Sequence, residues 1–144
     1  MHPLSLATPV SPSGQLPRPK SDSRKSILVV DDDAAMRMLL ERYLTAFGYR
    51  PLLAGGGDEA LSIARMAPDV CVVILDLVMP GISGRSLSEQ LTVLLPKATI
   101  LFCSGHPASA LIHLGMDIAG AQFLQKPCRP LDLKQRLSEI LVLR

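Results

Sequence analysis

A short apolar run that ends on a carboxylate most constrains what this chain can fold into. Residues 71–75 are all apolar, two of them Val and one Ile, and Asp76 follows directly. Such a run is typical of a strand buried on both faces, as in a parallel sheet. Asp is depleted in strands, and Pro80-Gly81 soon forces a loop. We therefore expect Asp76 at the carboxyl end of a central strand, where open α/β sheets bind ligands.

Four further segments are also predicted to be strands, and they alternate with segments of helical periodicity. They cover residues 26–30, 49–54, 98–103 and 121–125. The apolar residues with helical spacing are Met36, Leu39, Leu40, Tyr43, Leu44 and Phe47; Ala60, Leu61 and Ala64; Leu87, Leu91, Leu94 and Leu95; and Leu133, Leu137, Ile140 and Leu141, with a weaker helix over roughly 108–115. Five βα units predict a flavodoxin-like (βα)5 three-layer sandwich with a parallel five-stranded sheet of order 2-1-3-4-5.

Turn and capping residues mark where these helices begin and end. Asp33 and Asp58 are predicted to cap the first two helices, since a carboxylate accepts hydrogen bonds from free backbone N–H groups. Gly48 suits the C-terminal cap of the first helix, and Pro130 suits the first turn of the last one. The glycines at 55–57 form no phosphate-binding P-loop, because no Gly-Lys-Ser/Thr follows them.

Composition and charge divide the chain into two parts. Residues 1–25 are rich in Pro and Ser and are predicted to be a disordered tail or linker, while residues 26–144 form one domain. The net charge is only +2 and is unevenly placed: residues 1–25 carry four basic residues against one Asp, a net +3, which leaves −1 for the rest of the chain. A near-neutral domain predicts no direct nucleic-acid binding. No apolar run approaches the ~18 residues of a membrane span, and the N-terminus does not read as a signal peptide.

The three cysteines, Cys71, Cys103 and Cys128, form no CxxC pair. Cys71 and Cys103 lie in apolar runs, which favours buried, reduced thiols and a cytoplasmic location.

Polar residues gather where four of the predicted strands end. They are Asp31 and Asp32, Asp76, Ser104 and Lys126. Because parallel strands end on one side of their sheet, these groups should meet. Clustered carboxylates repel one another unless a cation offsets their charge, and oxygen ligands at an open site suit Mg²⁺. An ammonium and a hydroxyl beside them suit a phosphoryl group. Asp76 is then the candidate nucleophile, forming an aspartyl phosphate.

At this point the sequence resembles the response-regulator receiver domain of two-component signalling. The matching pieces are Val29-Val30-Asp31-Asp32, Asp76 with Met79-Pro80-Gly81 and Gly84, Ser104-Gly105, and Lys126-Pro127, and they span about residues 26–144. The resemblance implies that Asp76 is phosphorylated by a histidine kinase or a histidine phosphotransfer protein. It also implies that Asp31, Asp32, Asp76 and the backbone carbonyl of Val78 hold Mg²⁺.

The same resemblance assigns the switching residues. Lys126 would contact the phosphoryl group, and Ser104 stands where the family has Thr or Ser and would swing toward a phosphoryl oxygen. Phe123 takes the place of the family's aromatic switch residue, whose ring changes burial as that hydroxyl moves. The segments 102–106 and 122–127 are similar to receivers at the C-terminal end of hybrid histidine kinases, which implies a phosphorelay role and makes the tail an interdomain linker.

Three positions depart from the family pattern or bear on it. Cys128 stands where a bulky apolar residue is usual, which would loosen the start of the last helix. Val78 offers a metal only its main chain, so its side chain positions no water. His106, two residues after Ser104, either faces the site and affects the lifetime of the aspartyl phosphate or is a solvent-facing loop residue.

These patterns predict a signalling phosphoacceptor, not an enzyme. Without residues for an output domain after Arg144, its signal would pass to an unknown downstream protein through the face around Phe123. Whether phosphorylation drives homodimer formation stays open. One alternative is a docking module that keeps the fold without phosphorylation. Another is a phosphohydrolase with an aspartate nucleophile, although Val78 stands where its second acid is expected. A flavin-binding domain fits less well, because the loops lack aromatic residues.

Overall fold

A five-stranded parallel sheet forms the centre of the molecule in the computed structural model, which describes residues 22–107 and 122–142. The strands are β1 (Ser26–Val30), β2 (Arg50–Ala54), β3 (Val72–Asp76), β4 (Thr99–Ser104) and β5 (Gln122–Gln125). Their order is β2-β1-β3-β4-β5, which confirms the predicted flavodoxin-like topology. The central strand β3 is buried at every position, as its unbroken apolar sequence predicts.

The helices of the described residues lie on both faces of this sheet. They are α1 (Ala34–Ala46), α2 (Gly57–Met66), α3 (Gly84–Leu94) and α4 (Pro130–Val142). One aliphatic core lies between α2, α3 and the sheet, and the other lies between α1, α4 and the sheet. Alternate residues of β1 and β3 serve the two cores, since successive side chains of a strand point to opposite faces. The predicted helix over 108–115 falls outside the described residues.

Local sequence signals set most of the helix ends. The Asp33 carboxylate accepts hydrogen bonds from the backbone N–H groups of Ala35 and Met36 and so caps α1. Gly48 follows the helix with a φ of +93°, a conformation that favours glycine. The last helix begins at Pro130, as predicted.

One sequence prediction about the helix ends is wrong, and one apolar residue of α1 is more exposed than its neighbours. Asp58 does not cap α2, because the helix begins at Gly57 and its N-cap is Gly56. Asp58 lies instead in the first turn, where its charge still complements the helix dipole. Leu39 shares the helical spacing of its apolar neighbours, but 37% of it is exposed. Leu40 and Leu44 fill that core position completely, so the apolar stripe of α1 is narrower than its sequence indicates.

No helix within residues 22–107 and 122–142 is long and apolar enough to cross a membrane.

Candidate functional site

The carboxyl ends of the central strands bring the polar residues to one edge of the sheet. Asp76 is the last residue of β3 and pairs in register with Cys103 of β4. Ser104, the last residue of β4, pairs with Gln125 of β5, and Lys126 follows β5 directly. Asp31 follows β1, which lies on the other side of β3. Parallel pairing therefore delivers groups from four strands to one pocket.

Three carboxylates form the acidic part of this pocket. Asp31, Asp32 and Asp76 each offer an oxygen, and these oxygens lie within 4.8 Å of one another. Asp31 and Asp76 are buried, with 2% and 7% exposed, whereas Asp32 is open to solvent. One carboxylate oxygen of Asp31 also accepts a hydrogen bond from the backbone N–H of Asp33, which fixes its orientation.

Lys126 supplies a positive charge between two of these acids. Its Nζ donates to Asp31 Oδ2 at 2.7 Å and to Asp76 Oδ2 at 3.3 Å. Burial alone would lower the pKa of Lys126, but the hydrogen bond to Asp31 and the charge of Asp76 outweigh it and raise the pKa. The lysine therefore stays protonated and offsets part of the buried negative charge.

Asp76 is the carboxylate whose environment least favours its charged form. Burial raises its pKa, and the neighbouring charge of Asp31 adds to that rise. A backbone hydrogen bond from Val78 to Asp76 Oδ1, at 3.1 Å, and the charge of Lys126 oppose the rise without cancelling it. A carboxylate in this state gains from any added cation, because a cation restores the charged form.

A tight loop follows Asp76 and shapes the mouth of the pocket. Val78 pairs with Ser83 across this loop, and 48% of Val78 is exposed beside the site. Gly84 closes the loop: its N–H donates to the carbonyl of Leu77 at 3.3 Å. A Cβ atom on Gly84 would lie 2.7 Å from the Cα of Leu77 and 3.1 Å from the carbonyl oxygen of Asp76. Only glycine fits there without moving the end of β3.

The candidate switch residues lie on β4 and β5. Ser104 is fully buried, and its Oγ accepts a hydrogen bond from the backbone N–H of His106 at 3.1 Å. His106 itself is exposed. Phe123 is half-buried, and its carbonyl accepts a hydrogen bond from Arg136 of α4 at 2.7 Å. The backbone N–H of Lys126 donates to the carbonyl of Ser104 at 2.7 Å, so these two site residues are joined through the main chain.

Two features of the site escaped the sequence analysis. Arg37 of α1 donates from its guanidinium to the carbonyl of Asp31 at 2.7 Å and lies over Gly55. An arginine on a helix whose other face is apolar gives no sign that it reaches a strand end. Cys128 is buried against the α1–α4 core, and its Sγ lies 3.2 Å from that of Cys103. All three cysteines are buried free thiols, which confirms the prediction made for Cys71 and Cys103.

The donor set suits a hard divalent cation. Three carboxylates converge, one of them open to solvent, and the nearest cation is a single ammonium. Oxygen ligands that leave part of the coordination sphere to water and phosphate are typical of Mg²⁺ sites. No nitrogen or sulfur ligand belongs to this cluster of the described residues, which disfavours a zinc site.

A doubly wound sheet with an acid triad and a lysine at its strand ends defines a class of signalling domain. Residues 27–138 match the family model described as the response regulator receiver domain. The chain therefore belongs to the response-regulator receiver family.

Curated proteins and solved structures agree with this assignment. The chain is 33% identical over 119 residues to a probable transcriptional regulator ycf27 of Porphyridium aerugineum, covering 82% of this chain and 48% of that protein. It is 30% identical over 120 residues to the chemotaxis protein CheY of Thermotoga maritima, covering 81% and 97%. Several of the curated relatives are about twice as long as the matched region, so the chain spans about half of their length.

The receiver domain of the hybrid histidine kinase CckA is among the similar structures. The two share 34% identity with a TM-score of 0.69, and the match covers 81% of this chain and 98% of that one. This likeness agrees with the resemblance to hybrid-kinase receivers that the β4 and β5 segments indicate.

Proposed function

We propose that this domain accepts a phosphoryl group on Asp76 from a phosphohistidine and uses it to switch protein contacts. The observation that carries the proposal is the pairing of a buried carboxylate with an ammonium and two further acids at three strand ends. Asp76 sits at the centre of that group, on the central strand. Its raised pKa indicates a carboxylate whose negative charge is incompletely compensated. Asp31, Asp32, Asp76 and the backbone carbonyl of Val78 would hold Mg²⁺.

The transfer would proceed by attack of an Asp76 carboxylate oxygen on phosphorus. The P–O bond forms as the P–N bond to the donor histidine breaks, and the imidazole leaves with the electron pair of that bond. Bound Mg²⁺ would neutralise the oxygens of the transferring group. Lys126 would give up its bond to Asp76, its longer one at 3.3 Å, and donate to a phosphoryl oxygen instead. The shorter bond to Asp31 would keep the ammonium in place.

Ser104 would respond to phosphorylation of Asp76. Its Oγ now accepts from the N–H of His106, and its own proton is available for a phosphoryl oxygen. Because the carbonyl of Ser104 is bonded to the N–H of Lys126, a movement of Ser104 would pass to the end of β5. Phe123 is the half-buried aromatic residue of that strand and would change burial in response. A downstream protein would bind the face of β5 and α4 around it.

The first test is Mg²⁺-dependent uptake of phosphate from phosphoramidate, which contains the same P–N bond as phosphohistidine. Intact-mass spectrometry should find one added phosphoryl group that base removes, as an acyl phosphate requires. Asp76→Asn should take up none while keeping the wild-type circular dichroism spectrum. Uptake that survives in Asp76→Asn would refute the proposal, and so would steady release of phosphate from esters by an unmodified chain.

A matched control comes from the same acidic run. Asp33 follows two of the proposed metal ligands, but its carboxylate caps α1. Asn also caps helices well, so Asp33→Asn preserves the cap and removes one charge. This variant should take up phosphate at close to the wild-type rate, and a loss equal to that of Asp76→Asn would show that uptake depends only on general negative charge.

Membership of a phosphorelay is the more specific form of the proposal. The likeness to the CckA receiver supports a donor or acceptor that is a histidine phosphotransfer protein. We also propose that residues 1–25 act as a linker to the receiver formed by residues 26–144. Transfer in both directions between the phosphorylated chain and a phosphotransfer protein would distinguish a relay from a terminal switch.

A further inference from the structure

Two cysteine thiols touch beneath the phosphoacceptor pocket. Cys103 comes from β4, and Cys128 comes from the segment between β5 and α4. Their sulfur atoms are 3.2 Å apart, with one thiol donating to the other, and the residues are 1% and 6% exposed. The third cysteine, Cys71, lies directly before β3, where its thiol donates to the carbonyl of Ser26 at 3.3 Å.

The contact needs little movement to become a covalent bond. A disulfide joins its sulfurs at about 2.0 Å, so these two would approach by about 1.2 Å. Rotation about the side-chain bonds of both cysteines can provide part of that distance. The remainder would come from the segment that carries Cys128, because its neighbours Pro127 and Arg129 are exposed, whereas Cys103 lies in a paired strand. Bond formation would therefore draw the Cys128 segment toward β4.

The pair lies on the same face of the sheet as the acidic pocket. Cys103 is the register partner of Asp76, and partners in a parallel pair point to the same side. Cys128 comes two residues after Lys126. The charges of Lys126 and Asp31 act on the pKa of both thiols. A bond between them would join β4, one residue before Ser104, to the segment that positions the lysine.

We propose that Cys103 and Cys128 form a redox-active dithiol, which a hydroperoxide oxidises to a disulfide that slows phosphoryl uptake at Asp76. Formation of the disulfide does not depend on the function proposed above. Its effect on phosphoryl uptake at Asp76 rests on that proposed function.

One hydroperoxide molecule oxidises the two thiols to one disulfide. The Cys128 thiolate attacks the peroxide oxygen, the O–O bond breaks, and Cys128 becomes a sulfenic acid as water or an alcohol leaves. Cys103 then attacks the sulfenic sulfur, the S–O bond breaks, and water leaves as the S–S bond forms. Two thiols are oxidised and one peroxide is reduced, with the two thiol protons going to the released oxygens.

The local environment favours this order of attack. The hydrogen bond from Cys103 and the charge of Lys126 lower the pKa of Cys128, despite its burial. The pKa of Cys103 is raised, first by its bond to Cys128 and then by burial. Cys128 is also the more exposed of the two, at 6% against 1%, so it is the thiol that a peroxide reaches first.

Lys126 connects the disulfide to phosphorylation. Its ammonium must leave Asp76 and reach an incoming phosphoryl group. A disulfide two residues away pulls the main chain of this segment toward β4 and holds it there. The oxidised protein should then take up phosphate severalfold more slowly than the reduced protein.

The test uses hydrogen peroxide on the full chain, followed by mass spectrometry and peptide mapping. Wild type should lose two hydrogens per molecule, with the 103–128 crosslink in the map, and dithiothreitol should restore them. Cys103→Ala and Cys128→Ala should each prevent the loss, whereas Cys71→Ala should not. Two independent variants guard against one that folds poorly, and thermal melting checks both. Addition of oxygen without a crosslink, or a crosslink that includes Cys71, would overturn the proposal.

Phosphoramidate uptake by the oxidised and reduced wild-type protein completes the experiment. A slower rate in the oxidised form that dithiothreitol reverses, with no effect of peroxide on Cys103→Ala, supports the coupling to Asp76. Equal rates in the two forms would overturn the coupling to Asp76 but not the formation of the Cys103–Cys128 disulfide. If neither form takes up phosphate, the proposed function fails while the crosslink result stands.

Discussion

Replacement of Lys126 by Met tests how the acidic pocket is held together before any metal arrives. Met keeps most of the length and apolar stem of the side chain but removes the ammonium. Asp31 and Asp76 then remain buried without the cation that now lies 2.7 Å and 3.3 Å from their oxygens. The folded state should lose stability because two carboxylates are left with their mutual repulsion and less compensation.

The magnitude follows from the burial of the three groups. Removing one partner of a buried ion pair costs about 3–5 kcal/mol, whereas exposed pairs contribute about 0–1 kcal/mol. The Lys126 side chain is 18% exposed and the two carboxylates are 3% and 9% exposed, so the site is close to the buried limit. Protonation of Asp76 relieves part of the cost. We expect a loss of about 2–3 kcal/mol at neutral pH, which leaves a domain of ordinary stability folded.

Urea unfolding in metal-free buffer measures this loss. Lys97→Met is the matched control, since Lys97 is an exposed residue in the turn after α3, and it should change the free energy of unfolding by less than about 0.5 kcal/mol. Lys126→Arg keeps the charge and should lose less than Lys126→Met. In a second series with Mg²⁺, the deficit of Lys126→Met should shrink, because the cation replaces the missing charge. Mg²⁺ at ten times its dissociation constant adds about 1.4 kcal/mol to a protein that binds it only when folded.

The pH dependence of the stability deficit of Lys126→Met tests independently whether the deficit is electrostatic. Lowering the pH protonates Asp76, whose pKa is already raised, and so removes the charge that lacks compensation. The deficit of Lys126→Met should therefore be smaller at pH 5 than at pH 7. At alkaline pH it should shrink again once wild type passes the raised pKa of Lys126 and loses the same charge. If the stability deficit of Lys126→Met changes neither with Mg²⁺ nor with pH, the electrostatic explanation is refuted and lost packing is indicated instead.

Three further predictions concern the proposed metal ligands, the loop after Asp76 and the proton on Asp76. Asp32→Asn should weaken Mg²⁺ binding about tenfold or more in a calorimetric titration, whereas Asp33→Asn, at a helix cap, should change it little. Gly84→Ala should destabilise the domain by about 2 kcal/mol in urea unfolding, because its Cβ meets backbone at 2.7 Å, while Gly56→Ala, with open space around it, should cost under about 1 kcal/mol. Asp76→Asn in metal-free buffer should gain stability over wild type as the pH rises from about 4, because the raised pKa makes the folded state bind the proton more tightly than the unfolded state; a difference that does not vary with pH would contradict this.

The sequence predicts the topology of this domain well because apolar runs and helical periodicity report directly on burial. The five strands lie within a residue or two of their predicted ranges, and their order follows from the alternation of strands and helices. The incorrect prediction of Asp58 as an N-cap shows that these patterns do not determine the first residue of a helix. Its neighbour Glu59 reaches back to accept from the N–H of Gly55 at 2.6 Å. That bond lets the helix begin one residue before Asp58, and a single sequence cannot rank two adjacent acids for this task.

Distances in the site depend on register, which periodicity does not determine. The sequence places Asp76 and Cys103 near the ends of two strands but not beside each other. Their pairing, and the approach of Cys128 to Cys103 from beyond β5, require the complete sheet. The sequence predicts that Cys128 loosens the start of the last helix but does not indicate that this residue is buried in the α1–α4 core.

The pocket combines parts that are fixed with parts that are free to respond. Asp31 and Asp76 are held by backbone N–H groups and by strand pairing, so their carboxylates are presented in a set geometry. Ser104 and Lys126 are joined to each other by one main-chain bond at the ends of β4 and β5. A phosphoryl group on Asp76 would add negative charge where three acids already face one lysine. The rigid acids cannot relax that charge by moving, so the response must come from the hydroxyl and the ammonium, and through them from β5.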